Sequence, residues 1–92
     1  MQNDIFGWHP QKAEVDFIIK SRGRIAACEI KVGDLRGKLP RASRSFIEAY
    51  QPELFFAVGS HSHPTIALGK TKVCFIRLFE LGETIKSWAQ DY

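Results

Sequence analysis

Four charged side chains in the first third of the sequence have residue types and a spacing that could support metal-dependent chemistry: Glu14, Asp16, Glu29 and Lys31. Two carboxylates held side by side repel each other, and a divalent cation removes that repulsion. Mg²⁺ is commonly held by one or two carboxylates together with water and phosphate oxygens of a substrate. A solvated polar face, in which a glutamate and the lysine form an ion pair, also accounts for the same four residues.

A β-hairpin is the element that must position these residues. Alternating apolar residues predict strands at 13–20 and 24–32, and Gly23 supplies the positive φ that a two-residue loop requires. The register that follows places two charged pairs on one surface: Asp16 with Glu29, and Glu14 with Lys31. The opposite surface is expected to be wholly apolar, with the pairs Val15–Ile30, Phe17–Cys28 and Ile19–Ala26.

The rest of the pattern predicts an α/β domain with a mixed sheet of about four or five strands, a crossover helix and a C-terminal helix. Further strands are expected at 4–8, 54–58 and 71–76, with a short one at 66–68. A helix is expected at 40–50, with Ala42, Phe46, Ala49 and Tyr50 as its apolar face. A second helix is expected at 83–90. Because a helix separates the strands at 24–32 and 54–58, these strands should lie parallel.

Composition places limits on the class of protein. Ninety-two residues are enough for one small domain, and 45% of them are hydrophobic. The formal net charge of +3 suits a polyanionic partner without requiring one. Cys28 and Cys74 lie in apolar runs and are expected to be reduced thiols. The sequence lacks a predicted membrane span and the layout of a signal peptide, which predicts a cytoplasmic setting with no membrane partner.

The charged hairpin residues also resemble a known signature. An aspartate, a short hairpin and then Glu-x-Lys are similar to the active-site motif of the PD-(D/E)xK nuclease superfamily, which includes restriction endonucleases and archaeal Holliday-junction resolvases. The longer string Ala-Glu-Val-Asp-Phe-Ile-Ile, followed by Cys-Glu-Ile-Lys-Val, resembles one branch more closely. That branch is the C-terminal nuclease-like domain of unknown function found after the ATPase module of many bacterial and archaeal AAA-type ATPases. The resemblance covers residues 5–80.

The resemblance implies a restriction endonuclease-like fold and hydrolysis of phosphodiester bonds in DNA with Mg²⁺ or Mn²⁺. In that family's terms, Asp16 and Glu29 hold the metal, and Lys31 is the catalytic lysine. Glu14 is either an additional ligand or the partner of Lys31, and the partner role is favoured. The alternative is a catalytically degenerate module that binds DNA or mediates oligomerisation of an AAA-type ATPase. A protein-interaction fragment without affinity for nucleic acid is a third hypothesis.

One departure from the superfamily bears on the chain's partners. Members usually have a helix before the first strand, and residues 1–4 leave no room for one. The chain is therefore expected to be a fragment of a larger ATPase protein or a truncated product. The place of the missing helix would then be taken by the C-terminal helix or by a second subunit in a homodimer.

Basic residues cluster after the hairpin, at Arg36, Lys38, Arg41 and Arg44. One hypothesis is a surface that contacts the phosphate backbone of DNA beside the acidic residues. The other is an ordinary solvated helix face. His61 and His63 form a His-x-His pair in a loop, where the absence of a third ligand favours a plain loop over a metal site.

Overall fold

A six-stranded mixed sheet is the framework of the protein in the computed structural model, which describes residues 4–8 and 15–90, the first range by its backbone alone. The elements are β1 (Asp4–Trp8), β2 (Val15–Ser21), β3 (Arg24–Ile30), α1 (Arg41–Tyr50), β4 (Leu54–Gly59), β5 (His63–Leu68), β6 (Thr71–Arg77) and α2 (Leu78–Gln90). The predicted α/β class, with a crossover helix and a C-terminal helix, is confirmed. Glu14 lies outside the described residues.

The strand order across the sheet is β1-β2-β3-β4-β6-β5. The pairs β1–β2 and β2–β3 are antiparallel, whereas β3, β4 and β6 are mutually parallel, and β5 returns antiparallel to β6. The predicted parallel pairing of β3 with β4 is therefore confirmed. The sixth strand arises because His63–Leu68 pairs with β6, where the sequence predicts only a short strand at 66–68.

The β2–β3 hairpin has the predicted turn, and its register is as predicted from Phe17–Cys28 to the turn. The predicted pairs Asp16–Glu29 and Val15–Ile30 are not part of the ladder, because Asp16 contacts the Ile30 N–H through its side chain. Arg22 and Gly23 both have positive φ, 55° and 80°, as the two-residue type I′ loop requires. The ladder contains the pairs Phe17–Cys28, Ile18–Ala27 and Ile19–Ala26. Gly23 and the alternation of side chains were sufficient to predict this register.

The hairpin surface predicted to be apolar packs on the α2 side of the sheet, apart from Val15, and the opposite surface is also largely apolar. Ile18 and Ala27, which alternation places on the polar surface, are buried in a cluster with Phe46 of α1. Ile19 is buried on the other side in a cluster with Trp88 of α2, and Phe17 is 38% exposed. Because a helix covers each face of the sheet, both faces of the hairpin need apolar side chains, and only its end can carry charges.

The crossover helix α1 also packs through a different face from the predicted one. Its buried residues are Ser43, Phe46 and Ile47, while Ala49 and Tyr50 are exposed. The i, i+3, i+4 spacing forms a narrow stripe against the sheet, and small Ser43 joins it despite its polarity. Only Phe46 belongs to both the predicted and the observed faces.

The C-terminal helix α2 is fixed to the opposite face of the sheet by its last turns. The guanidinium of Arg24 donates to the carbonyl oxygen of Trp88 and lies 4.6 Å from the centroid of the Trp88 ring. Trp88 Nε1 donates to Glu53 Oε2 at 3.1 Å. No helix within the described residues is long and apolar enough to cross a membrane.

The two cysteines are free thiols. Cys28 pairs with Phe56, and Phe56 pairs with Cys74 on the next strand. Two strand spacings separate the cysteine Cα atoms by about 10 Å, which is too far for a disulfide. The prediction of unpaired thiols is therefore confirmed.

Candidate active site

Asp16 is an exposed residue at the start of the hairpin. Its Oδ2 accepts a hydrogen bond from the backbone N–H of Ile30 at 2.6 Å. The backbone ladder of the hairpin ends at Phe17–Cys28, so the carboxylate extends the contact between β2 and β3 beyond that pair. Hydrogen bonds to an ionised acceptor are shorter and stronger than neutral ones. The Asp16 side chain is thereby held against the end of β3, and Oδ1 is its remaining oxygen.

Glu29 and Lys31 flank the residue that Asp16 contacts. Glu29 is only 6% exposed, and its Oε2 lies 3.2 Å from Lys31 Nζ. The backbone N–H of Lys31 donates to the carbonyl oxygen of Val58 at 2.9 Å, which fixes the end of β3 against β4. The three predicted residues Asp16, Glu29 and Lys31 therefore converge at the carboxyl end of β3.

The charges of both carboxylates influence the buried thiol of Cys28. Burial is the main reason that the pKa of the Cys28 thiol rises to about 12, and the negative charges of Asp16 and Glu29 raise it further. A thiolate is disfavoured there because its charge would add to theirs.

The residues at this site fit a hard divalent cation. Carboxylate oxygens are the ligands that such ions prefer, and Mg²⁺ needs only one or two of them besides water and phosphate. Within residues 4–8 and 15–90, no group of three or more His, Cys, Asp or Glu side chains is arranged to hold a metal ion. The ion would therefore depend on Asp16 and Glu29, with the remaining ligands supplied by water and substrate.

The basic residues predicted to contact DNA are all exposed: Arg36, Lys38, Arg41 and Arg44. The first two lie in the loop that follows β3, and Arg41 is the first residue of α1. Because α1 connects parallel strands, its N-terminus lies at the carboxyl end of β3. Arg44, one turn further along, borders a groove between α1 and the β5–β6 turn that Ile47, Leu68 and Lys70 also line.

A second polar cluster, which the sequence did not predict, lies at the same edge of the sheet. His63 Nε2 is 2.7 Å from Asp34 Oδ1, and His61 Nδ1 is 2.7 Å from Ser60 Oγ. The hydrogen bond to His63 is the main reason that the pKa of Asp34 is lowered, followed by the bond from the Arg36 N–H. The Asp34–His63 contact holds the loop after β3 against the start of β5, whereas the Ser60–His61 contact lies within the loop after β4.

The first turn of α2 also reaches this edge. Glu80 Oε1 accepts hydrogen bonds from the Arg77 backbone N–H and from Ser62 Oγ, both at 2.9 Å. These two bonds, in that order, are the main causes that lower the pKa of Glu80. The predicted parallel strands offered a signal for this cluster. Because the carboxyl ends of parallel strands meet at one edge of a sheet, polar residues that follow such strands are expected to lie near one another. Finding the individual partners required the register of β3, β4 and β6.

Comparison of the chain with family models, curated proteins and solved structures finds no significant match. The geometry of the site and the sequence motif therefore carry the functional argument.

Proposed function

We propose that the chain is a metal-dependent nuclease domain, similar to the PD-(D/E)xK superfamily, that hydrolyses phosphodiester bonds in DNA. The observation that carries the proposal is the convergence of Asp16, Glu29 and Lys31 at the end of one hairpin. Two carboxylates and a lysine in that arrangement suit a phosphodiester substrate. The carboxylates can hold a cation, and the lysine can stabilise the negative charge that develops during hydrolysis.

The roles of the three residues follow from their positions. Asp16 Oδ1 and the Glu29 carboxylate would hold Mg²⁺ or Mn²⁺, with Glu14 as an additional ligand or as a partner of Lys31. When bound, the cation polarises the phosphate and lowers the pKa of an attacking water. Lys31 Nζ, 3.2 Å from Glu29 Oε2, would orient that water and stabilise the negative charge that develops on the phosphate oxygens.

Affinity for DNA is assigned to the exposed cations that follow the site: Arg36, Lys38, Arg41 and Arg44. Contacts of this type bind the phosphate backbone without reading its sequence. The loop that carries Arg36 is held in place by Asp34, which accepts its backbone N–H at 2.8 Å. The loop after β3 and the start of α1 thus carry Arg36, Lys38 and Arg41, and Arg44 follows further along the helix, where it borders the β5–β6 turn.

A cleavage assay tests the proposal. Supercoiled plasmid and branched DNA are incubated with Mg²⁺ or Mn²⁺ and with wild type, Asp16→Asn, Glu29→Gln or Lys31→Met. Glu83→Gln, which removes an exposed carboxylate on α2, is the matched control. Wild type and the control should cleave, while each site variant should be slower by at least about a hundredfold. Inert wild type on every DNA form, or site variants as active as wild type, would contradict the proposal.

A catalytically degenerate DNA-binding or oligomerisation module of an AAA-type ATPase is the second candidate. The observation that favours it is that Asp16 and Glu29 each have a structural role, the first at the end of the ladder and the second with Lys31. On this hypothesis, wild type binds DNA in a salt-dependent manner, and the three site variants bind it equally well. The cleavage assay separates the two candidates, since the second predicts no hydrolysis by any variant.

The proposal also covers the location of the protein and its partners. A cytoplasmic location is supported by the free thiols of Cys28 and Cys74, which are typical of a reducing compartment. An ATPase domain in a longer parent protein and a homodimer of the chain are the partners that the resemblance supports. Mass measurement of the purified chain with and without DNA tests the homodimer.

A further inference from the structure

An exposed aromatic ring and a cation lie together at the edge of the sheet that holds the carboxylates. Phe79, in the first turn of α2, is 73% exposed. The guanidinium carbon of Arg77 lies 4.5 Å from the centroid of its ring. Because the ring makes little use of its apolar surface within the fold, most of that surface is available to a partner.

We propose that Phe79 and Arg77 bind an unpaired base of the DNA strand beside the Asp16–Glu29 site, so that the substrate is single-stranded or branched DNA. The inference deepens the proposed function and rests on it for the identity of the site. Unpaired bases stack on aromatic rings and on the planes of arginine side chains. A base in an intact duplex is already stacked on its neighbours and has no free face to offer.

The pair is held in place before any ligand binds. Glu80 Oε1 lies 3.5 Å from Arg77 Nε and also accepts the backbone N–H of the same arginine. Ser62 donates to the same oxygen from the loop after β4. Arg77 is therefore positioned over the ring by a carboxylate that is itself fixed at two further points. Such preorganisation reduces the entropy lost on binding.

The register of the sheet places this pair beside Lys31. Ile30 pairs with Val58, which pairs with Ile76 on β6. The next row contains Lys31, Gly59 and Arg77, where the last two are paired directly. Two strand spacings separate Lys31 from Arg77 by about 10 Å.

Side chains in one row of a sheet leave on the same face, so the cations of Lys31 and Arg77 start on the same face of the sheet. Gly59 contributes no side chain to the space between them. A β-carbon at Gly59 would lie 2.8 Å from the carbonyl oxygen of Gly33. The loop after β3 therefore occupies the space over Gly59, and the DNA strand would cross this loop to contact both cations, one beside the carboxylates and one beside the aromatic ring.

Charge favours nucleic acid over a protein as the occupant. The chain carries a net charge of +3, and Lys31, Arg36 and Arg77 are exposed at this edge. Single-stranded DNA, a polyanion with flat bases, matches the Phe79 ring and its neighbouring Arg77 better than an apolar protein surface does. Leu78, the neighbour of Phe79 in the sequence, is 59% exposed. Two adjacent exposed apolar side chains also suit self-association, so the experiment must distinguish self-association from DNA binding.

Binding measured without cleavage tests the inference. Fluorescent single-stranded oligothymidine and a hairpin duplex are titrated in EDTA with wild type, Phe79→Ala, Phe79→Leu and Phe79→Tyr. The leucine variant keeps apolar surface but removes the ring, and the tyrosine variant keeps the ring. Because residue 79 is mostly exposed, these substitutions should leave the fold intact. Alanine and leucine should weaken single-strand binding about tenfold, leave duplex binding within about twofold, and differ clearly from tyrosine.

Three results would overturn the inference. They are an equal loss for single strand and duplex, no loss for either, or a change of oligomeric state in Phe79→Ala without a change in affinity for DNA. The last result would identify a self-association surface. Failure of the nuclease proposal is distinguishable, because it appears as absent hydrolysis while ring-dependent single-strand binding persists in EDTA. Conversely, normal hydrolysis with ring-independent binding removes only the present inference.

Discussion

Asp16 has an observed structural role and a proposed metal-binding role, which mutation can separate. One carboxylate oxygen closes the end of the hairpin through the Ile30 N–H, and the proposed cation would bind the other. A structural role therefore does not exclude a catalytic one, since the hydrogen bond uses a single oxygen and fixes the direction of the second. The same holds for Glu29, whose contact with Lys31 both compensates its burial and places the lysine beside the site.

Asp16→Asn should retain most of the stability, because the amide oxygen still accepts the Ile30 N–H, although a neutral acceptor makes a weaker bond than a carboxylate. Asp16→Ala should lower the free energy of unfolding by about 1 kcal/mol, the usual net worth of a hydrogen bond. Urea denaturation at neutral pH measures both. The asparagine variant should stay within a few tenths of a kcal/mol of wild type, about the scatter of surface substitutions. Equal destabilisation by asparagine and alanine would show that charge, and not the hydrogen bond, supports the hairpin end.

The pH dependence of stability should carry a signature of Asp34. Its folded-state pKa lies below the ordinary value of 3.8, chiefly because of the hydrogen bond to His63. A group with a lowered folded pKa stabilises the protein above its unfolded pKa, and that contribution is lost as the pH falls through the folded pKa. The stability difference between wild type and Asp34→Asn should therefore shrink as the pH falls below about 4. Urea denaturation at each pH checks this.

A difference that persists unchanged at the lowest pH would mean that the Asp34 charge contributes nothing. Asparagine is the suitable replacement because its side-chain oxygen can still accept the Arg36 N–H.

At the scale of elements, the carboxyl ends of β3 and β4 approach closely through two glycines. The Ser60 N–H donates to the Gly33 carbonyl oxygen at 2.9 Å. That same oxygen would lie 2.8 Å from a β-carbon on Gly59. Any side chain at this position must push the two loops apart, because the opposing atom belongs to the backbone.

Gly59→Ala should lower the free energy of unfolding by about 1–3 kcal/mol, since a rigid backbone oxygen blocks the new methyl group. Gly82→Ala is the matched control, because nothing lies within 4 Å of the added carbon and the residue is within α2. There alanine should raise stability by about 0.5–1 kcal/mol through helix propensity. Thermal or urea denaturation of both variants gives the comparison. A Gly59→Ala protein as stable as wild type would contradict the close approach.

Local signals in the sequence predicted the hairpin well and the helix faces poorly. Gly23 and strict alternation determine the register of β2 and β3, because both act over a few residues. The buried stripe on α1 depends on how the helix lies across the sheet, which local periodicity does not specify; Ser43 is buried for that reason. The bond between Asp34 and His63 joins residues 29 positions apart and follows only from the parallel pairing of β3 and β4.

At the scale of the whole molecule, the two ends of the parallel strands differ in chemistry. The carboxyl ends carry the carboxylates, Lys31, the Asp34 cluster and the Arg77–Phe79 pair. Ligands of open α/β sheets bind at the carboxyl ends of the strands. With α1 on one face of the sheet and α2 on the other, this edge is where charged residues can remain accessible without disturbing either core.

Calorimetric titration with Mn²⁺ in the absence of DNA tests the central claim, that Asp16 and Glu29 hold a divalent cation. Wild type should bind the ion at a single site, and Asp16→Asn and Glu29→Gln should each weaken that binding at least about tenfold. Glu83→Gln, with its carboxylate on α2, should bind as wild type does. Wild type that binds no ion, or site variants that bind it as tightly as wild type, would contradict the account.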